Sequence, residues 1–491
     1  MEIKIQANAL DRAIGFFSPN WALKRIRDRT ALHATLKYEA AGHGRRIGNW
    51  HATGASSNAE LRGVLETIRN RSRDLARNNL YGRRAVRSGS NYIVGSGIQA
   101  AWKSKGCGGK KRAKKIQALW EKWAEDSKMI DAAGRHNIVG LSGLAARTII
   151  ESGECLAIKR YDTSQSFPLQ IQLLEPDYID SSKDLSIAEK DRRILHGIEI
   201  DATTAKRLAY WLYTSHPGEG FGYSKSIRVP VANIIHAYLE ERPGQIRGVP
   251  WLAVCVLRLK DLDDYEDAQL IRQKIAACFS AFLIDPNGEP QVQQDVYSRL
   301  EPGTVEVLPN GKDIRFSDPP GAEGYSEYTR QVLRGIAAGF GVPYETLTGD
   351  YSQVNFSAGR MARGEFWQEL DVWQWQMFIP LFLDPIAEWF LETAQALGYD
   401  TSGCSVEWVP PRRQLVDPTR EIPAIVTSIR SGLTSRSQSV RELGFDPYEV
   451  EQEIAEDNKR ADELGLAFDS DGRRIVKPVV EDSKKDTKDE D

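Results

Sequence analysis

Two helical repeats of apolar residues, separated by a short polar segment, constrain the fold of this chain more than any other feature. The first repeat runs from Tyr325 to Phe340, where glycines and then Pro343 predict its end. The second begins near Ser357, and the segment from Thr348 to Phe356 between them is rich in turn-forming residues. The second repeat places five apolar residues on one helix face: Phe366, Leu370, Trp373, Met377 and Leu381. A loop held between two helices either connects them or is displayed for contact.

Another long helix is predicted upstream, followed by a small β-rich insert. Gly248 and Pro250 open this helix, and apolar residues keep a helical rhythm as far as Phe282. The insert spans Val292 to Phe316 and contains Asn310-Gly311, a hairpin signal between two strand-like runs. The predicted order is therefore helix, insert, helix, turn and long helix.

Five carboxylates cluster within the upstream helix: Asp261, Asp263, Asp264, Glu266 and Asp267. Paired carboxylates can bind a metal ion or act as general acid and base. At helical spacing these five lie on several sides of the helix, so they do not converge on one point within a subunit. A solvated helix face is the default interpretation, and we assign neither a catalytic nor a metal site.

The segment from Asn58 to Arg87 is predicted to be one helix, capped by Ser57 or Asn58. Leu61, Leu65, Ile68 and Leu75 supply an apolar face, and eight arginines cover the other face: Arg62, Arg69, Arg71, Arg73, Arg77, Arg83, Arg84 and Arg87. They form either a solvated, partly ion-paired surface or a contact for DNA phosphates or an acidic partner.

The region that follows predicts an α+β domain. Two helices are expected within residues 116–150, with Trp120 and Trp123 on the first and Leu141, Leu144 and Ile149 on the second. Short apolar or alternating runs then predict strands within 154–175, 197–213 and 230–239. After the long helix, which Pro380 and Pro385 are expected to kink or divide, residues 404–409 predict another strand. The tryptophans of that helix are expected in the core rather than against nucleic-acid bases: Trp367, Trp373, Trp375 and Trp389.

Sequence motifs for enzymatic chemistry are missing. Gly95-x-Gly97-x-x-Ala100 matches a dinucleotide fingerprint, but no helix opens at these glycines, so we predict a turn. The chain contains no P-loop and no HExxH motif. Its five cysteines form no CxxC pair, and three histidines lack metal-ligand spacing and are expected in core or surface positions: His196, His216 and His236.

The 491 residues are too many for one core, so several domains are expected. The net charge of −3 gives no global argument for nucleic-acid binding. Cysteine usage suits a reduced cytosolic compartment. The N-terminus lacks the apolar core of a signal peptide, and no apolar run is long enough to predict a membrane span.

Four segments, in order along the chain, resemble lambda-family phage portal proteins. They are residues 73–98, 241–282, 340–360 and 432–466, and the third reads FGVPYETLTGDYSQVNFSAGR. The resemblance implies an α+β portal fold with long stem helices, a small β-rich clip insert, a mixed wing domain and a helical C-terminal crown. The implied division is N-terminal arm 1–57, wing 58–247, stem helix 248–284, clip 285–320, second stem helix 321–341, tunnel-loop region 342–357, long helix and return to the wing 358–416, crown helices 417–472, and an acidic, disordered tail 473–491.

The resemblance also implies a function. Portal proteins form a ring, usually of twelve subunits, at one vertex of the phage capsid. Double-stranded DNA is packaged and ejected through the channel, while the terminase large subunit, capsid or scaffold proteins and head-completion or tail-connector proteins dock on the ring. The protein would be a virion component, present in the host cytoplasm during assembly. It would be no enzyme and would need no cofactor.

Two groups of residues are implied to face the channel. The first is the tunnel loop: Thr348, Gly349, Asp350, Tyr351, Ser352, Gln353, Val354, Asn355 and Phe356. Because this loop has no basic residue before Arg360, it favours sliding contact over strong phosphate binding. The second is the five-carboxylate cluster, which in a ring would line the pore and keep a polyanion from sticking.

Two other functions remain open from the residues. A nucleic-acid enzyme of the packaging machinery, a nuclease or ATPase, is disfavoured because its motifs are missing. The other is an adaptor or scaffold that binds only protein, which a ring with a pore too narrow for a duplex would favour.

Overall fold

The computed structural model describes residues 14, 16, 18–21, 24, 25, 27, 52–189, 191–219, 225–277, 281–284, 313–316, 324–411, 413, 417–468, 471 and 473. The chain divides into two units, Met1–Glu60 and Leu61–Asp491, and the second contains nearly all of the elements below. Most of the predicted arm and clip, and almost all of the predicted tail, lie outside the described residues. None of the described helices combines the length and apolar character that crossing a bilayer requires.

The basic N-terminal segment forms three helices. They are α1 (Ser57–Leu61), α2 (Leu65–Asn78) and α3 (Leu80–Val94). The prediction of one helix over 58–87 is therefore wrong. Asn79 adopts an extended backbone, and its side chain caps α3 by accepting from the Gly82 N–H at 2.7 Å. A Cβ on Gly82 would lie 2.9 Å from the Leu75 carbonyl oxygen, so only glycine allows this tight junction.

The predicted α+β region is confirmed. Its helices are α4 (Gly109–Glu125), α5 (Ser127–Ile130) and α6 (Ile138–Ser152). Its strands are β1 (Gln99–Ser104), β2 (Glu154–Tyr161), β3 (Leu169–Leu174), β4 (Leu185–Glu189), β5 (Arg192–Leu195), β6 (Ile198–Asp201), β7 (Arg207–Tyr213), β8 (Ser226–Pro230) and β9 (Ile234–Tyr238). Strand β2 lies between β3 and β9 in one antiparallel sheet, and β4 to β8 form a second sheet in chain order.

Two sequence predictions in this region have opposite outcomes. Gly95 and Gly97 have positive φ and form the turn between α3 and β1, so the rejection of a dinucleotide fingerprint is confirmed. Leu144 was expected on the buried face of its helix but is 43% exposed, whereas Leu141 and Ile149 are buried. Leu144 lies at the edge of the apolar stripe of α6, and only the centre of that stripe packs against the core.

A cluster of aromatic rings joins the region to the C-terminal part of the chain. Strand β12 (Cys404–Val409), predicted from sequence, pairs antiparallel with β1. Next to this pair, the Trp120 ring packs within 5.0 to 6.0 Å of the rings of Trp102, Phe390 and Trp408. Such edge-to-face and tilted contacts fix ring orientation beyond simple burial.

The upstream helix is shorter than predicted. A 3₁₀ turn, Trp251–Val254, precedes α7 (Val256–Ala277), and the chain then forms β10 (Ala281–Ile284). Strand β10 pairs antiparallel with β11 (Asp313–Phe316), which removes Phe282 from the helix to which its spacing had assigned it. The pairing joins residues far apart in sequence, so helical periodicity alone did not reveal it. The rest of the predicted insert, including Asn310-Gly311, lies outside the described residues.

The helix after the insert packs against α7. It is α8 (Tyr325–Phe340), as predicted, and the rings of Tyr265 and Tyr328 lie 4.8 Å apart between the two helices. Near the opposite end, a Cβ on Gly339 would lie 3.1 Å from the Cys255 sulfur. Glycine therefore permits the close approach of the α8 backbone.

Beyond Pro343 the chain forms a short helix that the sequence did not predict, α9 (Tyr344–Thr348). The long helix consists of α10 (Phe356–Val372), a π-helical segment (Trp373–Leu383) and α11 (Asp384–Ala396). Pro380, which has no N–H to donate, lies inside the π-helical segment.

The π-helical segment changes which face is buried. The predicted stripe holds for Phe366, Leu370, Trp373 and Met377, all of which are buried. It fails at Leu381, which is 37% exposed, because a wider turn rotates later side chains away from the α-helical register. Phe378 and Phe382 are buried instead.

The four tryptophans of the long helix divide into two pairs. Trp373 and Trp389 are core residues, as predicted. Trp375 is 48% exposed, and Trp367 is half-buried between the guanidinium groups of Arg363 and Arg413. The core prediction is therefore wrong for Trp375, which lies on the outer side of the widened helix.

The C-terminal end forms the predicted helices. They are α12 (Pro418–Arg430), α13 (Arg436–Glu442) and α14 (Pro447–Leu464). Neither α12 nor α14 has a buried residue.

A buried carboxylate connects the α+β region to the chain that enters α7. Glu154, at the start of β2, is fully buried and accepts hydrogen bonds from Arg69 at 2.9 Å and from Arg247 at 2.6 Å. It also contacts the His236 Nε2 at 2.9 Å and accepts from the Gly248 N–H at 2.8 Å. Helix α2, strands β2 and β9 and the segment before α7 therefore meet at one side chain.

Charge balance makes this cluster stable. Burial by itself would raise the pKa of Glu154, but Arg247 and the hydrogen bond from His236 hold it well below its usual range. Burial lowers the pKa of His236 to about 4, so this histidine is neutral at pH 7 and donates from Nε2. Asp177, 3.5 Å from Arg69, balances the second guanidinium charge.

We predict that Glu154→Gln lowers the free energy of unfolding by roughly 3–5 kcal/mol, because it leaves two buried guanidinium groups without their shared carboxylate. Urea denaturation followed by tryptophan fluorescence measures this loss. Asp264→Asn is the control, since Asp264 pairs with Lys260 on α7 and both side chains are more than 60% exposed. The control is expected to change stability by less than about 1 kcal/mol. Equal losses in both variants would contradict a special role for Glu154.

Candidate functional site

The polar loop, residues 348–356, is held by its own hydrogen bonds. The Thr348 hydroxyl donates to the Tyr344 carbonyl at 2.8 Å, and Asp350 accepts from the Ser352 N–H at 3.0 Å. Asn355 caps α10 by accepting from the Ala358 N–H at 2.8 Å. Two of the nine predicted residues, Thr348 and Phe356, are the helix ends themselves. The loop is thus a short, shaped turn between two helix termini.

The loop presents polar and aromatic side chains outward. Tyr351 is 66% exposed and Phe356 is 58% exposed, and Ser352, Gln353 and Asn355 are also exposed. Hydrogen bonds from Ser352 lower the pKa of Asp350, which therefore keeps its negative charge at neutral pH.

Arginines from other elements reach this loop, which sequence spacing had not indicated. Arg330 on α8 donates to the Gln353 side chain at 3.1 Å. Arg84 on α3 donates to the Thr346 carbonyl at 3.1 Å, and the Arg334 guanidinium lies 5.7 Å from the centre of the Tyr344 ring. Because Arg84 comes from α3 and the other two arginines come from α8, only the packing of α3 and α8 shows that the base of the loop is positively charged.

The five carboxylates of α7 separate into two groups. Asp261, Asp264 and Asp267 are exposed, while Asp263 and Glu266 are half-buried. Asp263 accepts from the Asn79 amide at 2.7 Å, and burial followed by the charges of Asp263 and Asp267 raises the pKa of Glu266. The exposed three form one arc of the helix, and Asp264 accepts from Lys260 at 2.5 Å.

The eight arginines of the N-terminal helices also separate. Arg69 forms a buried ion pair with Glu154, and Arg73 forms a half-buried ion pair with Asp177. Arg62 pairs with Asp184, and Arg84 donates to the Thr346 carbonyl. The other four are exposed and form no ion pair with any of the described residues: Arg71, Arg77, Arg83 and Arg87. The partly paired surface predicted from sequence fits the first four.

A group of possible metal ligands was missed by sequence spacing. His216, Glu175 and Asp177 each place one ligand atom within 4.8 Å of the others. Glu175 and Asp177 already accept from Arg73, at 3.0 and 2.5 Å. The ion pair with Arg73 accounts for this arrangement without a cation. His236 is a core histidine, as predicted, and so is His196.

A family model and several known proteins match this chain over most of its length. A family model described as phage portal protein, lambda family, matches residues 43–374. The probable portal protein of Halomonas phage phiHAP-1 is 26% identical over 489 residues, covering 91% of this chain and 92% of the relative. Portal protein B of Escherichia phage lambda is 24% identical over 486 residues, covering 86% and 89%.

A solved structure of a neck component is also similar. It is a chain from the neck of an empty gene transfer agent particle computed with C6 symmetry, 15% identical, with a TM-score of 0.47. The match covers 82% of this chain and 99% of that chain.

The contact between Asn79 and Asp263 gives a prediction for the joint between α3 and α7. Aspartate caps a helix as well as asparagine, so Asn79→Asp keeps the cap on α3 but turns a donor toward Asp263 into a like charge. We expect the free energy of unfolding in urea to fall by about 1–3 kcal/mol.

Two further variants make the comparison specific. Asn137→Asp is the matched control, because Asn137 caps α6 through the Gly140 N–H at 3.0 Å and donates to no carboxylate among the described residues. Adding Asp263→Asn to Asn79→Asp restores a donor–acceptor pair and is expected to recover most of the loss. If the control lost as much stability, or the double variant recovered nothing, the contact would have no such role.

Proposed function

Because the chain belongs to the lambda family of phage portal proteins and is therefore the portal at a capsid vertex, we propose that it forms a closed ring through which double-stranded DNA is packaged and ejected. The observation that carries this proposal is the extent of the family match, residues 43–374, which includes α7, α8, the polar loop and α10. In this proposal the ring has twelve subunits, as the family resemblance implies.

The described elements suit the regions of a portal. Helices α7 and α8, packed together through Tyr265 and Tyr328, are the stem, and residues 285–320 between them are the clip. The α+β region is the wing, and α12 to α14 are the crown. The clip would dock the terminase large subunit during packaging and head-completion or tail-connector proteins afterwards. Capsid and scaffold proteins would surround the ring, which assembles in the host cytoplasm and remains in the virion.

Two surfaces would face the DNA. The polar loop offers Tyr351, Ser352 and Gln353, which can touch a moving duplex without binding phosphates strongly. On α7, Asp261, Asp264 and Asp267 are exposed and would repel the backbone of the duplex. Neither surface brings together a nucleophile, a base and an electrophilic group, so the proposed role is passage and docking rather than catalysis.

The ring is tested by the mass and symmetry of the purified protein. Light scattering and electron-microscope class averages are expected to show a closed ring whose channel admits duplex DNA. A protein that remains monomeric even with its capsid and scaffold partners would contradict the proposal. DNA cleavage or ATP hydrolysis abolished by Asp263→Ala with Asp264→Ala would favour a packaging enzyme instead.

The repelling role of α7 gives a separate prediction. Asp264→Lys with Asp267→Lys is expected to leave ring formation intact but make the ring retain duplex DNA about tenfold more tightly at low salt, with the gain lost as salt rises. Filter binding over a salt series measures this retention.

The matched control changes charge by the same amount elsewhere. Glu125 and Glu388 are exposed residues of α4 and α11, so Glu125→Lys with Glu388→Lys is expected to leave DNA retention near that of the unaltered ring. Equal retention by both pairs of variants would show a general charge effect and would contradict a channel position for the aspartates of α7.

A further inference from the structure

The C-terminal helices α12 and α14 expose apolar side chains to solvent. The 18-residue helix α14 buries none of its side chains, and neither does the 13-residue helix α12. On α12, Ile422 is 50% exposed and Val426 is 40% exposed, four residues apart on one face. On α14, Ile454 is 40% exposed and Leu464 is 67% exposed. Most helices gain their stability from packing an amphipathic face. The exposed apolar faces of these two helices are therefore expected to pack against another surface.

These C-terminal elements also carry charges of opposite sign: α12 and α13 are basic, and α14 is acidic. From Ile422 to Arg441 the chain has three arginines and no carboxylate: Arg430, Arg436 and Arg441. From Tyr448 to Asp457 it has five carboxylates and no basic residue: Glu449, Glu451, Glu453, Glu456 and Asp457. Burial and then the neighbouring acids, first Asp446, raise the pKa of Glu449, as expected where negative charge is concentrated.

Arg441 pairs with Glu407 and Asp457 pairs with Arg460, but other charges of these two groups form no ion pair with any described residue. Arg430 and Arg436 are exposed and form no ion pair with any described residue. The same holds for Glu451 and Glu453, which flank the Ile454 face of α14. The chain therefore presents an apolar stripe with basic residues on α12 and α13 and an apolar stripe with acidic residues on α14.

We propose that the acidic α14 of one copy packs against the basic surface of α12 and α13 of the next copy in the ring. The occupant is a second copy of this chain because each copy carries both halves of a complementary pair, and a head-to-tail contact is the kind that builds a ring when the rotation between copies closes. The inference rests on the proposed ring and specifies one of its contacts. The glutamates Glu451 and Glu453 would lie opposite Arg430 and Arg436, with Ile454 against Ile422 and Val426.

The contact is tested by exchanging the charges. Arg430→Glu with Arg436→Glu, and separately Glu451→Arg with Glu453→Arg, place like charges opposite each other. Each double variant is expected to need at least about tenfold more protein for half-maximal ring formation, measured by mass photometry at low salt. The quadruple variant, in which the two charge signs are exchanged, is expected to assemble near the level of the unaltered protein.

The chain offers a matched control on the same helix. Glu456 and Glu463 are exposed and lie on the side of α14 away from Ile454. Glu456→Arg with Glu463→Arg makes the same change in net charge and is expected to leave assembly unchanged. Circular dichroism and thermal midpoints of every variant show that the subunits themselves are folded.

The outcomes separate the contact from the ring. If the unaltered protein forms rings but the basic-surface variants assemble equally well, the contact is overturned and the ring stands. The same conclusion follows if the quadruple variant recovers nothing, or if the control variant loses as much as the others, since another segment or another protein would then cover these helices. If the unaltered protein forms no ring with its capsid partners present, the ring and this contact are both overturned.

Discussion

The shared carboxylate of Glu154 is the interaction on which the arrangement of the chain depends. One buried side chain accepts from Arg69, Arg247, His236 and the Gly248 N–H, so elements from four parts of the sequence meet at a single charge. The two guanidinium groups would be costly to bury without it, and the carboxylate would be equally costly without them. The cluster therefore specifies one geometry, since only that geometry satisfies every buried charge.

The same cluster directs the chain into α7. Gly248 donates to Glu154 and lies against Gly153, where an added Cβ on Gly153 would come within 2.6 Å of the Pro250 nitrogen. The two backbones can cross this closely because neither residue has a side chain. Two helical turns beyond the start of α7, Asp263 accepts a hydrogen bond from Asn79, which also caps α3. The α+β region and α7 are thus joined by a backbone crossing and by a hydrogen bond rather than by a flexible linker.

The surfaces proposed to face DNA depend on this joint for their positions. The polar loop is shaped locally by Asp350 and Asn355, but Arg84 and Arg330 at its base come from α3 and α8. A rigid base with an exposed, weakly binding tip suits contact with a duplex that has to move. In the proposed ring, the exposed carboxylates of α7 would repel the duplex along the same helix that the joint holds in place.

The sequence by itself determined the family, the α+β class and the helices on either side of the polar loop, because periodicity, glycines and prolines act locally, and the family resemblance is confirmed. Strands β2, β3, β6, β7 and β9, helix α8 and the turn at Gly95 follow from those local signals, whereas β1, β4, β5 and β8 were not predicted. Tertiary structure decided the break at Asn79, the pairing of Ala281–Ile284 as a strand and the exposure of Leu381, since each depends on a partner or a change of helical register elsewhere in the chain. It also decided which charges are buried in ion pairs, such as Arg69, and which remain exposed, such as Arg83, because electrostatic pairing depends on distance in space and not on spacing in sequence.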